Sequence, residues 1–306
     1  RAMTIKTAPR TGDRLLPLAA ALVTVLLWAS AFVAIRYVGR ELSAGALSLG
    51  RLVVAAVVLG LMMLVDDRRA AVRTPWPGRR HWPRLLTVGV LWFGLYNIAL
   101  NQAERLVDAG TAAMLVNVGP LLIAILAGLL LGEGFPRSLI TGSLVAFAGV
   151  VLIGTATSTT AGVDLWGVVL CLVAAVSYAV GVVAQKPLLA DLSGLRVTWL
   201  ACVIGAVCCL PYAPALVREL GAAQPSTVGW LVYLGVFPTA LGFTTWAYAL
   251  ARTTAGKLGA TTYLVPAVAI VLAWALLGEA PPVLALAGGA LCLVGVAVSR
   301  RTGRAR

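Results

Sequence analysis

Few side chains in this sequence could carry out chemistry. There is one histidine, His81, and 11 acidic residues among 306. Nucleophilic or metal-assisted catalysis needs paired aspartates, a serine–histidine pair or clustered His/Glu ligands. His81 stands alone, and no apolar run holds two acids. No Walker-type lysine loop occurs, which excludes ATP-driven work by this chain. The five cysteines, Cys171, Cys202, Cys208, Cys209 and Cys292, all lie in apolar runs without C-x-x-C spacing, as small packing residues do. The chain is therefore expected not to be an enzyme, and no metal or cofactor site is expected.

The polar residues of interest sit inside apolar runs. Trp92, Tyr96, Asn97, Asn101 and Gln102 share one run, and Asn97 and Asn101, four apart, share a helix face. Asn117 lies three residues before Pro120, and Tyr263 three before Pro266. A proline frees the carbonyl four residues earlier and bends a helix, so both sites read as hinges or gates beside polar groups. Trp28, Trp92, Tyr178, Trp246 and Tyr248 could line a cavity for aromatic or cationic solutes. Trp166, Trp199 and Trp230 sit near run ends, as interfacial aromatics do. The substrate-cavity candidates are thus Trp28, Trp92, Tyr96, Asn97, Asn101, Asn117, Tyr178, Trp246 and Tyr263, with helix–helix hydrogen bonding as the alternative for the polar ones. Gln102 and Gln185 could serve either purpose. Arg36 and Arg51 are costly in a bilayer interior; they either snorkel or attract an anion. No acid lies deep in a run. The nearest, Glu133 and Glu279, fit loop anchors, so any proton coupling must use an end carboxylate.

The elements that position these residues follow from composition. Hydrophobic residues make up 60% and charged residues 11% of the chain, and the mean hydropathy is +0.96. A water-soluble chain of this length needs more polar surface, so this is an all-α integral membrane protein. Ten apolar runs cover approximately 15–38, 44–65, 85–103, 111–131, 138–156, 166–185, 197–217, 228–250, 258–277 and 283–299. Most approach the roughly 20 residues that cross the hydrocarbon. Strand alternation is absent, which argues against a β-barrel.

The net charge of +13 lies in short clusters between the runs. No basic stripe or nucleic-acid motif accompanies it, so the charge is topogenic and no nucleic-acid partner is expected. With the N-terminus inside, 19 basic residues fall on the inner side and three on the outer. Both termini are therefore expected in the cytoplasm. Arg10, Arg14 and Ala29-Ser30-Ala31 resemble a signal peptide, but the apolar run continues to Val38, longer than such a segment, and reads as an uncleaved first helix. His81 falls in the long basic loop 66–84, where a solvated histidine is expected.

The chain also repeats itself. Gly110, Pro120, Gly132, Glu133, Pro136, Gly142 and Gly149 recur 146 positions later as Gly256, Pro266, Gly278, Glu279, Pro282, Gly288 and Gly295. Near the start of each half the offset becomes 150, matching Trp28 to Tyr178 and Arg36 to Lys186. Five spans are an odd number, so the second unit enters the membrane from the opposite side and the repeat is inverted. The expected organisation is a cytoplasmic tail 1–14, a first repeat 15–156, an outer linker 157–165, a second repeat 166–299 and a basic tail 300–306.

These residues carry a resemblance. Leu27-Trp28-Ala29-Ser30-Ala31-Phe32, Arg51, Asp108-Ala109-Gly110-Thr111-Ala112-Ala113, Pro120 and Leu131-Gly132-Glu133 resemble the EamA type of the drug/metabolite transporter superfamily. Ala255-Gly256-Lys257-Leu258-Gly259-Ala260, Pro266 and Leu277-Gly278-Glu279 repeat the pattern. The likeness covers roughly residues 15–299. It implies ten helices, a bacterial inner membrane, and a cavity walled mainly by helices 1, 3, 4, 6, 8 and 9. It implies export or uptake of small metabolites, with activities spread over amino acids, other metabolites and drugs and no one substrate implied. Together with the inverted repeat, a secondary transporter, foremost an exporter, working by alternating access is expected. Tyr178 departs from the family pattern, where tryptophan is common, and the second half has no counterpart of Arg51. A small-molecule substrate and the lipid bilayer are the expected partners, and a monomer is compatible with the sequence. A receptor or scaffold without flux is the alternative, with an intramembrane enzyme behind it.

Overall fold

The computed structural model describes residues 11–69, 75–107, 109–157, 164–277 and 282–301. It is built of helical rods, as a bilayer demands of backbone that cannot bond to water. In chain order they are α1 Thr11–Val38 and α2 Ala44–Arg69, then α3 Arg79–Ala103. The fourth rod is broken into α4a Ala109–Val116 and α4b Gly119–Leu130. There follow α5 Arg137–Thr157 and α6 Leu165–Asp191, then α7 Gly194–Ala222 and α8 Pro225–Arg252. The ninth rod is broken into α9a Ala255–Thr261 and α9b Leu264–Leu277, before α10 Val283–Ser299. Eight of these segments are individually long and apolar enough to cross a membrane, and Met114–Leu130 and Val283–Ser299 are shorter apolar helices.

Local sequence sets the ends and breaks of the rods. Asp164 accepts the backbone N–H groups of Trp166 (2.8 Å) and Gly167 (3.2 Å) to start α6. Ser193 caps α7 in the same way. The fourth and ninth rods break at residues 117–118 and 262–263, ahead of Pro120 and Pro266. Glu133 occupies the corner between the two broken rods. Its carboxylate accepts the N–H groups of Ala255 (2.6 Å) and Gly256 (3.0 Å), completing the first turn of α9a. It is an anchor, as its place at a run end suggests. Glu279 and Gly278 lie outside the described residues.

The two repeats pack as an inverted pair. α1 lies against α8 and α9, and its counterpart α6 lies against α3 and α4. α2 pairs with α7, α4 with α9, and α5 with α10, each rod with its own repeat mate. At the last pair the repeated glycines face one another. A Cβ on Gly149 would lie 2.5 Å from the Gly288 carbonyl oxygen, and one on Gly142 would lie 2.5 Å from that of Gly295. Position rises along one rod as it falls along the other, so equivalent rods run antiparallel. Only glycine permits backbones this close.

One face of the bundle carries the segment from residue 75 to 84 and the α6–α7 and α8–α9 turns; it is called the basic face below. Arg196, on α7, is almost wholly buried there. It donates to both Asp67 oxygens (2.8 and 3.0 Å) and to the Pro75 carbonyl (2.9 Å), and lies 4.8 Å over the Trp76 ring. His81 is buried rather than solvated. Its Nδ1 accepts the Gly78 N–H (3.0 Å) and its Nε2 meets Asp191 (3.1 Å), because the α6 end folds over the loop. The opposite face is tied by Glu41, which accepts the Gln224 N–H (2.8 Å), and by Glu219, which accepts from Ser43. Four of the five cysteines are buried and Cys208 is exposed; all are free thiols.

Candidate functional site

Four rods related by the repeat, α1, α3, α6 and α8, each send aromatic rings to one point at mid-length. Trp28 stacks on Trp246, with ring centroids 5.1 Å apart, and lies 5.2 Å from Phe243. Trp92 lies 5.0 Å from Phe243 and 5.4 Å from Tyr178. Gly181 makes room for this plug, since a Cβ there would approach Trp92 Cβ at 2.6 Å. Interlocked rings of this kind close the bundle toward the basic face.

Above the plug, toward the opposite face, is a cavity partly open to the outside. Trp28, Trp92, Tyr178 and Phe243 form its floor. Ala31, Phe32 and Ile35 of α1 form one wall, and Tyr96, Asn97 and Leu100 of α3 another. Val116, Asn117 and Pro120 enter from the broken fourth rod, and Thr262 and Val265 from the broken ninth. The lining is mostly apolar with a few convergent polar groups, as in sites for small organic molecules.

Arg51 is the charged group in the wall, and the local sequence of α8 explains its pose. Pro238 has no N–H to offer the Leu234 carbonyl. The Thr239 hydroxyl takes its place, donating to that carbonyl at 2.8 Å. The backbone here winds as a π-helix over Gly235–Leu241, and α3 carries the same distortion over Val88–Leu95. Thr239 Oγ1 then accepts both Nε (3.1 Å) and Nη2 (2.9 Å) of Arg51. Among the described residues Nη1 makes no hydrogen bond and no carboxylate lies within 4 Å of the guanidinium. The guanidinium is thus held by one edge. Arg36, by contrast, is exposed in the last turn of α1.

The structure brings together six of the nine residues singled out as cavity candidates: Trp28, Trp92, Tyr96, Asn97, Asn117 and Tyr178. Three lie off the cavity. Trp246 is buried beneath the plug. Asn101 donates to Ser48 Oγ on α2 at 2.9 Å, a rod-to-rod bond. Tyr263 packs beside Phe147 on α5, with centroids 6.4 Å apart. The break in the ninth rod turns Thr262, not Tyr263, to the cavity. Gln185 is fully buried away from it. Phe32, Phe243 and Thr262 were not singled out, since an isolated phenylalanine or threonine in an apolar run carries no distinguishing signal. Pro238 and Thr239 offered one: a proline inside a helical run followed by a hydroxyl.

Comparison with known proteins places this geometry. The EamA-like transporter family matches residues 15–155 and again 165–301. A probable terminal-alkyne amino-acid exporter of Streptantibioticus cattleyicolor is 41% identical over 94% of this chain and 95% of its own. The uncharacterized transporter YdfC of Bacillus subtilis is 30% identical over 88% of this chain and 86% of its own. A probable amino-acid metabolite efflux pump of Salmonella typhimurium is 25% identical over 69% and 76%. One solved crystal structure superposes with a TM-score of 0.73 over 95% of this chain and 98% of its own at 22% identity, a likeness of fold. The family match and relatives named as transporters point to a transporter rather than an enzyme. With two family repeats spanning it from one end to the other, the chain belongs to the EamA-like transporter family.

Proposed function

We propose that this protein exports small amphipathic metabolites, foremost amino acids with apolar side chains, across the bacterial cell membrane by alternating access. The observation that carries the reading is a cavity between two inverted repeats that is plugged toward one face and open toward the other. Two like units of opposite orientation can exchange conformations at similar energy, so the site faces each side in turn. The 19-to-3 bias of basic residues supports both termini in the cytoplasm, which makes this the outward-open state. The wall and floor suit the two ends of an amino acid. Arg51, with Asn97 and Asn117 nearby, suits the carboxylate, and the faces of Trp28, Trp92 and Tyr178 suit the ammonium. Phe32, Val116 and Val265 suit an apolar side chain. Two relatives named for amino acids, at 41% and 25% identity, support this class.

Counterflow of labelled amino acids in proteoliposomes tests the proposal. The expected result is exchange of apolar amino acids that Arg51→Gln lowers at least tenfold, a carboxylate contact being worth more than about 1.4 kcal/mol. A chain that exchanges none of them is not this transporter, and absence of any solute flux would favour the receptor reading. Cysteine labelling at positions 75 and 303 is expected from the cytoplasm and at 160 from outside.

A further inference from the structure

Glu104 follows the last residue of α3 and caps that rod. It stands one turn beyond Leu100, which lines the cavity. Its Oε1 is buried without a hydrogen-bond partner among the described residues. The charged and titratable groups that face it are Arg36 of α1, Arg51 of α2, Tyr96 on its own rod and Cys171 of α6. Neither arginine comes within 4 Å of it. A carboxyl thus feels two cations and, among the described residues, forms an ion pair with neither.

The other repeat holds the same corner in a closed arrangement. Lys186, the counterpart of Arg36, donates its Nζ to the carbonyls of Leu250 (2.6 Å) and Thr253 (2.7 Å) at the end of α8. At the offset of 146, Leu250 and Thr253 correspond to Glu104 and Val107. Toward the basic face, therefore, the cation of a repeat's first rod seals the end of its third rod. The same closure at the opposite face carries Arg36 onto the carbonyls of Glu104 and Val107, and so against the Glu104 carboxylate.

We propose that Glu104 is a proton-binding site linked to the mouth of the cavity, occupied while the mouth is open and emptied when Arg36 closes onto it. The step is a proton transfer: on closure the carboxyl O–H bond breaks, the proton passes to cavity water, and the carboxylate pairs with the guanidinium. The inference rests on the alternating-access reading. Burial supports it, pushing the open-state carboxyl up to about 7 against the pull of Arg36 and, less, of Arg51. Since the open state binds the proton more tightly, the open fraction rises as pH falls through about 7 and is flat above it. Below that value the open-to-closed ratio grows about tenfold per pH unit, so from pH 8 to pH 5 it grows about a hundredfold.

The test uses full-length protein without substrate, its five native cysteines replaced by alanine. Spin-label pairs at Arg40→Cys with Arg105→Cys, and at Ala190→Cys with Ala251→Cys, report the distances across the two mouths. Between pH 8 and pH 5 the first pair is expected to shift strongly toward its long distance and the second toward its short one. Glu104→Gln should abolish that pH dependence and hold the cavity mouth open. Arg36→Lys, which installs the residue the other repeat uses, should retain it. Two populations with a pH-independent ratio, or the same pH response in Glu104→Gln, overturn the proton site while leaving alternating access standing. A single open population under every condition overturns both.

Discussion

Gln185 offers a sharp test of how the structure stores its other conformation. The residue is fully buried in α6, and neither Nε2 nor Oε1 has a hydrogen-bond partner among the described residues. At the offset of 150 its counterpart is Ile35, which lines the open cavity. On the alternating-access proposal, opening of the basic face carries Gln185 to the position that Ile35 holds here, where it meets water or substrate. An unpartnered buried polar group costs about 1–3 kcal/mol. Gln185→Leu keeps the shape and removes that cost from the present state alone. Taking about 2 kcal/mol, the balance moves roughly 30-fold toward the outward-open form, at 1.4 kcal/mol per tenfold. The variant should unfold at a higher temperature in detergent, and a thiol reporter at position 190 should react more slowly. Counterflow should slow without a change in substrate preference. A variant that melts below wild type would show that the amide is satisfied in this state, and the reasoning would fail.

Further predictions concern the frame of the bundle. Pro120→Ala and Pro266→Ala each restore a backbone donor at a break in a rod; both should slow transport with little loss of fold and shift cysteine accessibility at the two mouths in opposite directions. A shift in the same direction would exclude repeat-related gates. Glu133→Ala leaves the first N–H groups of α9a without acceptors and should cost about 2 kcal/mol in thermal or denaturant unfolding, with Glu133→Gln losing less. Gly149→Ala drives a Cβ against the Gly288 carbonyl and should cost about 1–3 kcal/mol, read as a lower melting temperature; an unchanged melting point would mean that α5 and α10 separate freely.

The membrane fold was legible in the sequence because it depends on local quantities. Whether a segment crosses a bilayer is set by its own length and polarity, and among the described residues each of the ten apolar runs falls on a helical rod. The inverted repeat was legible because the glycines and prolines that mark it serve backbone needs that few other residues meet, as Gly149 against Gly288 shows. The site was legible only in part, since which way a side chain faces depends on neighbouring rods. Asn97 and Asn101 share a helix face, yet one turn of height separates a cavity wall from a bond to Ser48 on α2. Asn117 and Tyr263 match in sequence register, but the ninth rod breaks one residue earlier relative to the fourth and presents Thr262 instead. Arg51 became a cavity cation because Pro238, far along the chain, made Thr239 bridge it to the α8 backbone. Glu104 follows the apolar run 85–103 with nothing in the sequence to set it apart, and packing alone brings its carboxyl near two arginines. Apolarity and backbone fit are properties of a residue and its near neighbours, whereas burial of a charge and the facing of an amide are decided where separate rods meet.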